Sequence, residues 1–168
     1  VSPVIERYFE RIGANGSSEG IFDGSVTTFK PNLPQPDQIY QLQSAAPVTN
    51  YSRSSWGTTL TIDPNYVDYG SIDAYDGIGN TLEQHKVGDK YDSYIWDYVN
   101  RYPIAKVSNA GPGDIAYTSF EADGTGGWAF SATPIVADAT APTGGKAFDL
   151  STDLKITKTG LNSGTTYV

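Results

Sequence analysis

Glycine and proline interrupt this chain too often for long regular elements: 18 Gly and 10 Pro fall among its 168 residues. Proline breaks helix interiors and central strands, and glycine supplies the left-handed positions of tight turns. The stretches between interruptions are short and rich in Tyr, Val, Ile and Thr. Such residues suit a half-buried pleated surface. Twelve Tyr and no Met or Cys sharpen this reading, because a Tyr ring can lie on a sheet while its hydroxyl stays wet. The expectation is an all-β chain with little helix.

Missing residue types narrow the chemistry. Without Cys there is no disulfide, thiolate zinc site or thiol nucleophile. A single His excludes multi-His metal sites and makes a Ser-His-Asp triad remote. A formal net charge of -8 repels phosphate backbones, so nucleic acid is not an expected partner. No apolar run approaches the roughly 20 residues of a membrane span. No signal peptide is visible at Val1, and both ends read as cut from a longer chain.

Along the chain, Ile5, Tyr8, Phe9 and Ile12 recur at spacings that favour a short helix over a strand in residues 1–12. A loop follows at 14–20. Ile21–Phe29 reads as a strand, and Lys30–Pro36 as an extended, polyproline-like connector. Further strands are expected at 39–42, 58–62, 66–69, 71–75, 81–86, 91–98 and 103–107. The small residues at 109–114 mark a module boundary. Beyond it the texture turns from Tyr-rich to Gly, Ala and Thr-rich, with strands expected at 115–121, 128–130, 146–150 and 154–157.

The most specific stretch is Tyr75-Asp76-Gly77-Ile78-Gly79-Asn80, followed by Tyr94-Ile95-Trp96-Asp97-Tyr98 and Pro103-Ile104-Ala105-Lys106. Asp76 is placed to accept hydrogen bonds from turn amides, with Gly79 and Asn80 free to take left-handed backbone conformations. These segments resemble the YD repeats of bacterial Rhs-like proteins, in the form found in Bacteroidetes. Asp97 departs from that pattern, in which Gly is usual, so a different local backbone is expected there. The resemblance implies β-hairpins that build long sheets in shells or filaments.

A second stretch joins Phe120-Glu121, Gly126-Gly127-Trp128 and Thr143-Gly144-Gly145-Lys146-Ala147-Phe148. It resembles the opening of a carbohydrate-binding-type jelly roll. That resemblance implies a structural calcium held by Glu121, and glycan as a ligand class. About half of the roughly eight strands of a jelly roll would be present. The fold class expected is therefore all-β, with antiparallel YD-repeat-like hairpins in residues 1–110 and a partial, jelly-roll-like β-sandwich in residues 111–168.

Candidate sites are few. Trp56 lies in a polar loop and is the tryptophan expected to be exposed, with a binding role open to it. Trp96 and Trp128 are expected in the core, and His85 as an exposed polar residue. Asp73, Asp76, Glu83, Asp89, Asp92 and Asp97 supply carboxylates, but no spacing selects a catalytic pair. Asp89, Asp92 or Asp123 could ligate calcium through hard oxygens, without an EF-hand pattern. The expected function is a non-catalytic structural or binding segment of a large secreted or cell-surface bacterial protein. Its expected partners are glycan, other surface or secretion proteins and the rest of its own chain. The alternatives are the delivery shell of an Rhs-type toxin and an accessory module of a glycan-active enzyme.

Overall fold

The computed structural model describes residues 4–130, 134–151 and 155–167. The described residues contain strands β1 (Val4–Ile12), β2 (Ser18–Phe29), β3 (Pro36–Leu42), β4 (Ser55–Trp56), β5 (Leu60–Thr61), β6 (Tyr66–Tyr75), β7 (Thr81–Lys86), β8 (Asp92–Asp97), β9 (Tyr102–Ser108), β10 (Ile135–Ala137) and β11 (Lys146–Phe148), and no helix. Seven strands form one sheet in the order β1-β2-β3-β6-β7-β8-β9, while β4-β5 and β10-β11 are separate two-stranded ladders. The fold is all-β. The chain divides into two compact units, Val1–Asp73 with His85–Asp89, and Ala74–Gln84 with Lys90–Val168. The change of composition near residue 110 lies within the second unit.

In the first unit, β1 is a strand where apolar spacing favours a helix. It pairs antiparallel with β2, from Val4 opposite Thr28 to Ile12 opposite Ser18. The spacing misleads because Ile5, Phe9 and Ile12 are exposed, whereas Glu6 and Tyr8 on the other face are half-buried. Non-local pairing with β2 thus overrides a weak local period. Lys30–Gln35 is also not an extended connector. It is a turn closed by Lys30 N donating to Gln35 O at 2.8 Å, with Asn32 left-handed at φ 62°. Pro36 then occupies the first position of β3, where the missing N–H does least damage to the ladder.

The core of this unit is small. Ile21, Val26, Leu42, Val48 and Tyr66 are buried, with Tyr8, Tyr40, Tyr51 and Ile62 packed on them. Tyrosines supply much of the cover: Tyr51 lies 5.3 Å from Tyr8 and 6.2 Å from Tyr66, ring centroid to ring centroid. The Tyr51 hydroxyl donates to Glu6, whose other oxygen accepts from Ser54 N at 3.0 Å. Burial, reinforced by the bond to Glu6, pushes the Tyr51 phenol well above its ordinary range. The Tyr66 hydroxyl lies over Gly24, where any Cβ would collide with it. A side chain there would have to displace the buried Tyr66 ring or press on the Arg7 carbonyl.

Asp63 is 4% exposed and ties the 50s loop to this core. Its Oδ2 accepts from Ser52 N at 2.7 Å, and its Oδ1 accepts from Asn65 N at 2.9 Å and Asn65 Nδ2 at 2.8 Å. Burial pushes this carboxyl up, but the Ser52 and Asn65 donors outweigh it and hold the carboxyl below the usual range.

In the second unit the hairpin turn between β6 and β7 is fixed by Asp76. Its Oδ1 accepts from Ile78 N at 3.0 Å and Asn80 N at 2.8 Å, and its Oδ2 accepts from Asn80 Nδ2 at 2.9 Å. Gly79 is left-handed at φ 97°, as the turn requires, but Asn80 is not. Asn80 contributes its side-chain amide instead, which also donates to Asn100 O at 2.8 Å. β8 pairs with β9 from Asp92 opposite Ser108 to Asp97 opposite Tyr102. Ser93 is fully buried, donating to Ala110 O at 2.6 Å.

Past β9 the described chain is largely irregular. The stretch 115–121 is not a strand. Tyr117 N donates to Gly126 O at 2.8 Å and Phe120 N to Thr118 Oγ1 at 3.0 Å. Local bonds therefore compete with a ladder. Ala129 makes one isolated bridge with Thr157, and the ladder β10-β11 is three residues long. Leu154, expected to open a last strand, lies outside the described residues.

Because Asp63 and Asp76 are held below the ordinary carboxylate range, their contribution to stability is complete above an unfolded value of about 3.9 and is lost as pH falls through the folded values. Asp63→Asn is expected to cost about 1–3 kcal/mol at pH 7 and to flatten the acid limb of a denaturation series. An unchanged acid limb would reject this role for Asp63.

Candidate functional site

Three constellations could carry chemistry. The first joins Ser71, Asp73 and His85. Ser71 Oγ donates to Asp73 Oδ1 at 2.7 Å, and His85 Nδ1 lies 2.7 Å from Asp73 Oδ2 and 3.3 Å from Ser71 Oγ. A hydrolytic triad needs the carboxylate on one imidazole nitrogen and the nucleophile on the other. Here both meet Nδ1, the serine proton points to the carboxylate, and Ser71 is buried. The three side chains form a polar contact between β6 and β7. His85 is half-buried, not the exposed side chain expected from its polar neighbours, because Asp73 and Ser71 take up its ring nitrogen.

The second is an apolar cavity of about 460 Å³ lined by Tyr117, Phe120, Trp128 and Ile156, with Ala116 and Thr118. Phe120 is anchored from behind by Phe130 and Phe148, with ring centroids 6.0 Å and 5.7 Å away. Tyr117 is 48% exposed. Trp128 is half-buried and presents itself to this cavity, so it is not the core tryptophan expected. The loop between the aromatics depends on Gly126. It is buried and left-handed at φ 60°, and a Cβ there would run into the Tyr117 carbonyl. Aromatic spacing at 117, 120 and 128 was the available signal, but nothing in it tells that a loop would bring the three together.

The third surrounds Asp97. The carboxylate is 3% exposed, and its Oδ1 accepts from Tyr98 N at 2.7 Å and Gly124 N at 2.9 Å. Tyr98, Val99 and Asn100 that follow are all left-handed, at φ 54°, 58° and 54°. Each such non-glycine residue costs roughly 1–2 kcal/mol. Arg101 N donates back to Asp97 O at 3.0 Å, closing the turn. The backbone immediately after Asp97 is thus unusual.

The other expected site residues fall elsewhere. Trp56 is 47% exposed on β4 and does not line the aromatic cavity. Trp96 is half-buried and donates its indole N–H to Thr81 O at 2.8 Å. Glu121 Oε1 accepts from Gly145 N at 2.8 Å and Lys146 N at 2.6 Å, so one oxygen of the expected calcium ligand is engaged by main-chain amides. Asp92 pairs with Lys106 at 2.8 Å, and that contact holds its carboxyl below the usual range. Among the described residues no three His, Cys, Asp or Glu side chains cluster as a metal set. No helix among them is long and apolar enough to cross a membrane.

Gly126→Ala is expected to cost at least about 1–2 kcal/mol through its backbone alone, and to alter the near-ultraviolet circular dichroism of Trp128. A variant with wild-type melting and spectrum would show that the loop does not depend on this glycine. Comparison with known protein families, with curated proteins and with solved structures finds no match to the chain.

Proposed function

We propose that this chain is a non-catalytic binding segment of a larger secreted or cell-surface bacterial protein, and that the aromatic cavity at Tyr117, Phe120 and Trp128 takes glycan. The observation that carries the proposal is the cavity itself. Its walls are aromatic and it opens to solvent through an exposed Tyr117. Aromatic faces stack on the apolar C–H faces of sugar rings, and a few polar groups at the rim fix orientation. Thr118 and the Tyr117 hydroxyl are such groups.

Two further features support the reading. The Asp76 turn has the acceptor geometry that the YD-like motif calls for, which favours a hairpin of an Rhs-like surface protein. The Ser71–Asp73–His85 contact is wired for structure, which favours binding over hydrolysis.

Intrinsic tryptophan fluorescence, titrated with a panel of soluble polysaccharides, tests the proposal. At least one glycan is expected to change the emission saturably. Trp128→Ala should weaken that binding by about tenfold or more, a loss of about 1.4 kcal/mol. Trp56→Ala should leave it intact. No response to any glycan, or a loss confined to Trp56→Ala, would overturn the assignment.

A further inference from the structure

We infer that the Asp97 turn is one wall of a binding site for a hard divalent cation of the calcium class, completed by Asp123. Asp97 and Asp123, with Ile95, Trp96, Val99, Asn100 and residues 124–127, line a cavity of about 370 Å³. Asp97 is 3% exposed, and its Oδ2 has no hydrogen-bond partner although it is buried. That oxygen sits against Gly124 on the cavity wall, where an added Cβ would come within 2.8 Å of it. Its twin oxygen is fixed by the Tyr98 and Gly124 amides, so the carboxylate cannot turn away. Asp123 is held from across the turn, its Oδ2 accepting from Val99 N at 2.7 Å. None of the described ion pairs involves Asp97 or Asp123.

A buried, anionic oxygen without a donor is unfavourable unless something positive meets it. Among the residues lining the cavity, Asp97, Asp123, Asn100 and Thr125 carry side-chain oxygens, and neither His nor Cys is present. Hard oxygen donors of this kind select calcium-class ions over zinc or copper. Calcium takes six to eight oxygens, so two carboxylates leave several positions to carbonyls and water, which an open cavity permits. Few charged ligands place the affinity in the weak class, roughly 10⁻⁴–10⁻³ M. The site is distinct from Glu121 and does not rest on the glycan reading.

Trp96 lines the same cavity and makes the site testable with terbium as the probe. Excitation of tryptophan in the full chain is expected to give saturable terbium luminescence that calcium displaces. Calcium at about 10 mM should raise the melting temperature. Asp123→Asn, an exposed position expected to fold normally, should weaken terbium binding about tenfold or more and abolish the calcium shift. Asp97→Asn should do the same, whereas Glu121→Gln should change neither. Wild-type luminescence no stronger than that of Asp123→Asn would overturn the site, as would a wild-type melting temperature indifferent to calcium. So would a loss seen only in Glu121→Gln, which would place the ion at Glu121 instead.

Discussion

Main-chain amides captured by acidic side chains are the interaction on which both units depend. Asp63 gathers Ser52 and Asn65, Asp76 gathers Ile78 and Asn80, Asp97 gathers Tyr98 and Gly124, and Glu121 gathers Gly145 and Lys146. In each case a carboxylate closes a loop whose amides have no ladder partner. Charge-assisted bonds of this kind are stronger than neutral ones. They explain why an acidic chain with many turns can still define its loops. Much of its negative charge does internal structural service and is not merely solvated.

How far this could be read in advance depended on the range of the forces involved. Most strands between Ile21 and Lys86 and between Asp92 and Val107 were legible because alternation and turn residues act locally, but Ser55–Trp56, expected in a polar loop, is the short strand β4. Gly70 reads as a break between neighbouring strands, yet it is a buried position within β6, since a Cβ there would collide with the His85 carbonyl. The failures share one cause. Residues 4–12 carry helical spacing but are claimed by β2, and residues 115–121 carry strand composition but are claimed by their own loop bonds. In both, a partner distant or local took the hydrogen bonds that propensity had assigned elsewhere.

The sites were less legible than the strands. Asp76 was readable because its acceptors and donors lie within four residues. Asp97 and Asp123 are 26 positions apart by their numbers, and only the fold brings Val99 N to Asp123. Asp97 itself ends β8, and the three left-handed residues that close the turn follow it at Tyr98, Val99 and Asn100. Trp56 is exposed as expected, although it lies on β4 and not in a loop, and exposure alone does not make a site. Trp128, expected in the core as a lone tryptophan on a strand, lies on no strand and lines the aromatic cavity instead.

The sparse interior has a thermal consequence. Among the described residues, Val26 and Ser93 are the largest fully buried side chains, and one of them is polar. The heat capacity of unfolding rises with the apolar surface released and falls with the polar surface. A chain held by ladders and carboxylate–amide contacts, with so little aliphatic interior, releases comparatively little of the former. Its free energy of unfolding should therefore curve gently with temperature. Such a flat profile trades peak stability for near-constancy across a wide span of ambient conditions.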